Sequence, residues 1–174
     1  MKKNVIKYLA FEIDELTNSI QNVITGDSFD TEVTILSKVE LKLLTKNNWI
    51  FDWKKEFGNQ NKQIYKLTIA KNPKIIQGLI SLEDRNDHIF MHLIESANFN
   101  KGKNKVYVGV AGNLIAFACK VSKENGYEGI VSFFAKTKLV EHYKESLGAK
   151  VLFGNQMIVD ELNANRLIYK YFKQ

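Results

Sequence analysis

Three things are scarce in this chain: it has one cysteine, one proline and no long uninterrupted apolar run. With Cys119 alone, an intrachain disulfide framework is excluded. Cys119 lies inside LIAFACKV with no histidine close in sequence to activate it, so it reads as a small core residue rather than a nucleophile. Histidine is almost as rare. His88 and His92 share one face of a strand, but no nearby cysteine or further histidine completes a ligand set, and no metal is expected. The opening MKKNVIKYLAFEIDEL reaches Glu12, Asp14 and Glu15 without an apolar core. It therefore reads as neither a signal peptide nor a membrane span, which sets the expectation of a cytoplasmic protein without a membrane partner. There is no internal repeat and no low-complexity segment.

What is present suits a single α/β domain over residues 1–174, since 45% hydrophobic and 25% charged residues are ordinary for a globular chain of this length. Twenty-five Lys plus Arg against nineteen Asp plus Glu give a formal charge of +6, which favours an anionic partner. The basic residues are scattered, so a nucleic acid such as tRNA is not the favoured partner. Their densest group, Lys101, Lys103 and Lys105 in NFNKGKNK, reads either as a solvated loop or as a lure for phosphates.

Along the chain, Ile13, Leu16, Ile20 and Ile24 recur at helical spacing and predict an amphipathic helix that stops at Gly26 and Asp27. Residues 32–36 alternate like a strand, and Ser37 can cap a helix over 38–46. Trp49 to Phe57 reads as a strand, or as a loop packed by its aromatics. QIYKLTIA, KIIQGLISLED and HIFMHLIESA form three strand-like runs, separated by turns at 71–73 and 85–87, with Pro73 in the first turn. An antiparallel meander follows. Residues 114–125 are apolar on more than one side and predict a helix against the sheet, ended by Gly126. Ile130 to Phe134 reads as a strand parallel to His88–Ser96, residues 138–147 as a helix and 167–172 as a last strand.

The most informative stretch is VYVGVAGNL, a glycine-bearing turn that opens the apolar helix after HIFMHLIESA. Around Val108, Gly109, Val110, Ala111, Gly112 and Asn113 such a turn points backbone N–H groups outward at a helix start. Unpaired donors and the helix dipole there favour an anion such as a pyrophosphate. This order of elements resembles the acetyl-CoA-binding half of the GNAT N-acetyltransferases. Gly109, Ala111 and Leu114 match that family's turn motif, while Val106 stands where Arg or Gln is usual. His142, Tyr143, Leu147 and Gly148 look similar to its last-helix motif, with Tyr143 one residue farther from the glycine than in the usual form.

The resemblance implies a GNAT-like α/β (α+β) fold: a mixed, mostly antiparallel central sheet, helices on both faces and a splayed parallel strand pair. It also implies acetyl transfer from acetyl-CoA to a primary amine on a small molecule or peptide. In that mechanism backbone groups of Leu93, Ile94 and Glu95 take the pantetheine arm and stabilise the oxyanion, and Tyr143 protonates the departing thiolate. Glu95 continues the apolar row of Ile89, Met91 and Leu93, where desolvation suits a base. The residues alone leave two alternatives open: Glu95 as a rim carboxylate held by a lysine or backbone partner, and Tyr143 as a ring packed on the core. Homodimerisation is compatible with this reading, as is a non-catalytic module that binds CoA.

Overall fold

The computed structural model describes residues 6–172. In chain order its elements are β1 (Ile20–Asn22), β2 (Ser28–Phe29), β3 (Thr31–Ile35), α1 (Trp53–Phe57), β4 (Gln63–Ile69), β5 (Asn72–Asp84) and β6 (Ile89–Ser96). They continue with β7 (Tyr107–Val108), α2 (Val110–Glu124), β8 (Val131–Phe134), α3 (Val140–Leu147), β9 (Lys150–Phe153), β10 (Gln156–Val159) and α4 (Glu161–Tyr171). Seven strands form the main sheet in the order β3-β4-β5-β6-β8-β10-β9, and β2-β1-β7 form a small second sheet. Every named pair in the main sheet is antiparallel except β6 with β8. The expected mixed sheet with a parallel pair is present.

The meander strands are apolar at consecutive positions because both faces of the sheet are covered. Leu79 and Ile80, neighbours in β5, are both fully buried. On one face, Gly78 lies so close to α2 that a Cβ there would sit 2.7 Å from Val110 Cγ1. On the other, Leu79 pairs with Glu95, whose carboxylate reaches the Trp53 indole of α1. Helices α1 and α2 therefore cover opposite faces, since cross-strand partners share a side.

Several expected elements differ. No helix covers 13–24: residues 10–19 run without regular structure and Ile20 enters β1. The reason lies in Thr17 and Ser19, whose hydroxyls donate to Ser19 and Phe29 carbonyls, while the Thr17 N–H goes to the Tyr171 hydroxyl at 3.1 Å. Such side-chain bonds compete with helical ones. Ser37 and Glu40 do form a reciprocal cap, but only a 3-10 turn over Glu40–Leu43 follows. Leu41 is its one buried residue, too little packing to hold a longer helix. Trp49–Phe57 is no strand: Asp52 accepts from the Lys55 N–H at 3.1 Å and caps α1. Pro73 sits inside β5, where the register with β4 jumps from Asn72 to Ile76 and needs no N–H from it.

The largest correction is at the C-terminal end, where 167–172 belongs to α4 instead of a strand. Ala164, Leu167 and Tyr171 form its buried stripe at helical spacing, and Asp160 caps it by accepting from the Asn163 N–H at 3.0 Å. The β9–β10 hairpin was not expected at all. Lys150, 2.6 Å from the Asp160 carboxylate, and the Asn163 donors hold that acid at about 2, below its ordinary 3.8. A depressed folded-state value contributes stability above the unfolded value, and that stability is lost as pH falls through the folded one. Asp160→Ala should therefore cost about 1 kcal/mol at neutral pH. In urea denaturation across pH, the gap from wild type should close as pH falls from about 4 towards about 2.

Candidate functional site

The site begins where β6 and β8 part. Their register holds only at Ile89 with Val131 and Phe90 with Ser132, after which both strands continue without pairing to each other. The Ala97 N–H bonds Gln77 of β5 at 2.9 Å, so alternation turns the amides of Ile94 and Ser96 into the gap. On the β8 side the gap is lined by residues from the chain's own start. The Leu9 N–H donates to the Phe134 carbonyl at 2.7 Å, and the Lys136 N–H donates to the Leu9 carbonyl at 2.9 Å. Between this segment and the β6 rim lies a cavity of about 630 Å³, bounded by residues 7–12, Leu93–Ser96, Ala111 and the lysines Lys101, Lys105 and Lys136.

Of the residues expected to hold cofactor, Leu93, Ile94, Glu95 and Ala111 come together on this cavity. The rest of the turn does not line it. Gly109 caps α2 with φ of 90°, a left-handed conformation suited to glycine, and its carbonyl accepts from the Asn113 N–H. Its own N–H donates to Asp14 Oδ1 at 3.2 Å, and Asp14 Oδ2 is 3.2 Å from Lys105 Nζ. A carboxylate of the chain thus sits on the amide expected to meet phosphate. A Cβ at Gly109 would collide with Thr17 Oγ1 and lie 2.8 Å from the Ser19 carbonyl, and one at Gly112 would meet the Tyr171 hydroxyl. Val108 pairs with Gln21 of β1, Val110 packs towards Gly78, and Asn113 is buried with its amide on Thr31 Oγ1 at 2.8 Å.

Glu95 is 3% exposed and surrounded by donors: Ile50 N–H at 2.7 Å, Phe51 N–H at 3.2 Å, Trp53 Nε1 at 2.8 Å and Lys101 Nζ at 3.0 Å. Four donors match the four lone-pair positions of a carboxylate. Tyr143 is fully buried. Its hydroxyl donates to the Phe11 carbonyl at 2.6 Å, and its ring stacks on Phe11 at a centroid distance of 4.4 Å. Burial pushes this hydroxyl's pKa well up. Beside it, His142 Nε2 accepts from the Ile13 N–H at 3.0 Å.

The other singled-out residues fall elsewhere. Cys119 is buried, which drives its thiol up to about 12 and leaves it unreactive. Burial drives His92 down to about 4, and no group of three metal-ligating side chains occurs among the described residues. Asp14 and Phe11 are not singled out by the sequence, and Trp53 reads there as core or as the lining of an acceptor cleft. Their signal is weak: Asp14 lies in a stretch whose apolar spacing mimics a helix, and Phe11 just ahead of it.

No family model matches the chain, and no curated protein matches it. Solved structures do. AtaTR bound with AcCoA is 15% identical, with 80% of this chain and 98% of that one covered at a TM-score of 0.56. A spermidine N-acetyltransferase SpeG chimera from Vibrio cholerae and hSSAT is 14% identical over 79% of this chain and 99% of its own, at 0.55. The Vibrio cholerae spermidine N-acetyltransferase in complex with CoA and spermine is 13% identical over 78% and 98%, at 0.50. Together with the parted parallel strands, these likenesses establish that the chain has the GNAT N-acetyltransferase fold.

Proposed function

We propose that this chain is an N-acetyltransferase that moves acetyl from acetyl-CoA to the primary amine of a small molecule or peptide. The observation that carries this reading is the open rim of β6, Leu93 to Ser96, facing a cavity beside the start of α2. Acetyl-CoA would supply a thioester. The arm that carries it suits the Ile94 and Ser96 amides, and one such N–H aimed at developing oxyanion charge is worth about 3 kcal/mol. Lys136 borders the cavity, and Lys105, now paired with Asp14, would be free to meet a phosphate once Asp14 leaves. The fit has one condition: Asp14 occupies the Gly109 amide and must leave before a diphosphate can take that place.

Glu95 is assigned to receiving the ammonium proton through water. Lys101, whose side chain is about a third exposed, is the partner an incoming cation displaces most readily. Tyr143 is assigned to protonating the thiolate as the carbon–sulfur bond breaks and the carbon–nitrogen bond forms. Its raised pKa keeps it protonated for that step. The amine class to test first is a polyamine, because two of the similar structures are spermidine acetyltransferases.

One observation favours a second reading, a non-catalytic module that binds CoA: both Glu95 and Tyr143 are already committed to partners within the protein. A thermal shift with acetyl-CoA, followed by thiol release on an amine panel that includes spermidine, separates the two. Transfer predicts both a shift and release. A shift without release supports the module, and no shift with acetyl-CoA but a salt-sensitive one with RNA overturns both in favour of a nucleic-acid partner.

Glu95→Gln should lower kcat by about a hundredfold and leave CoA affinity nearly unchanged. The same change leaves Lys101 without its carboxylate and sets an amide against buried donors, so it should also cost about 2–4 kcal/mol in urea denaturation. Full activity at every pH in a folded Glu95→Gln protein would remove Glu95 from the chemistry.

A further inference from the structure

The donor cleft read above is already filled in part, and the filling is the chain itself. We propose that residues 9–19 are a built-in competitor for the acyl donor, with Asp14 standing where a phosphate of the carrier would bind. This inference rests on the cleft being the acetyl-CoA site.

The contacts follow one another in chain order from the parted strands to the helix start. Leu9 adds to the open edge of β8 through two backbone bonds. The Phe11 carbonyl takes the Tyr143 hydroxyl, and the Ile13 N–H goes to His142. Asp14 takes the Gly109 amide and pairs with Lys105, so one carboxylate satisfies both a helix-start donor and a cation. Thr17 then packs against Gly109, with its N–H on Tyr171. A diphosphate at the turn would need the Gly109 amide that Asp14 now holds, and the arm would run through the cavity this segment borders.

The segment is held in a way that permits release. Over 9–19 its only β pairing is the single bridge from Leu9 to Ala135, and no helix covers it. Leu9 and Ile13 are buried, whereas Glu12, Asp14 and Glu15 are exposed, and exposed stretches without regular structure open at lower free energy than core strands. A ligand that binds only the opened form has its apparent affinity reduced by the fraction of molecules open. The carrier and the segment therefore oppose each other, and weakening the segment's anchor strengthens carrier binding.

The test uses the full chain with coenzyme A. Hydrogen exchange should show coenzyme A raising exchange over residues 9–19 while protecting 93–96. Calorimetry should show Asp14→Asn binding coenzyme A roughly tenfold more tightly than wild type, the order expected from losing a charge-assisted contact. Binding with unchanged exchange over 9–19, or Asp14→Asn binding no tighter, overturns the competitor. No heat with coenzyme A in either protein overturns the donor-site reading itself, and the inference with it. The exchange measurement needs only the wild-type chain, so it decides the matter even where Asp14→Asn folds poorly.

Discussion

A strand edge inside a sheet cannot be left bare, and this molecule has one by construction. β6 and β8 pair over two registered positions and then part, leaving main-chain donors and acceptors on both sides of the gap. Buried backbone groups must find partners. On the β8 side Leu9 supplies them, through bonds to Phe134 and Lys136. On the β6 side the cavity leaves them facing open space. One departure from regular pairing thus creates both an edge open to the cavity and the demand for something to cover its opposite edge.

Charge organises the walls of that gap. Glu95 lies on the α1 face of β6, and α1 is itself fixed by a second buried acid, Glu56, which bonds Ser81 at 2.9 Å and pairs with Lys62 at 3.0 Å. Burial pushes Glu56 up, but Lys62, Ser81 and Lys7 outweigh it and hold it below its ordinary value. The result is a rigid shelf that sets the Trp53 indole on Glu95. Lys7 reaches Glu56 at 3.3 Å from the same segment that supplies Leu9, so the shelf and the filled cleft share an anchor. The net charge of +6 is therefore a poor guide to free basic surface, because Lys101 and Lys105 already face Glu95 and Asp14.

How much could be read from sequence depended on whether local pattern and tertiary environment agreed. They agreed in β4, β5 and β6, whose β-branched and aliphatic runs are buried on both faces, and in α2, apolar almost all round because it lies against the sheet. They disagreed at Leu167–Phe172, where LIYKYF has strand-forming composition but Asp160 had already started a helix, with Asn163 on its cap and Tyr171 in register for burial. They disagreed again over 13–24, where helical spacing coincided with Thr17 and Ser19, residues that bond backbone groups far away. β9 and β10 are four residues each, too short for any period to register. The position of Glu95 and Ala111 on the cavity wall was legible because a strand and a helix start fix their direction. Asp14 was not, because its role comes from a contact across 95 residues.

Val106, which stands where the resembled motif has Arg or Gln, is tied in through its backbone. Its N–H bonds the Phe99 carbonyl and its own carbonyl accepts from the Val23 N–H at 3.0 Å, while the next two residues pair with β1 as β7. The run into the turn is thereby drawn into a small sheet with residues 20–29. Position 106 serves as a backbone connector, with its side chain partly exposed. Strand pairing through residues 20–22 and the Asp14 contact with Gly109 thus tie the same N-terminal part of the chain to the turn from two sides.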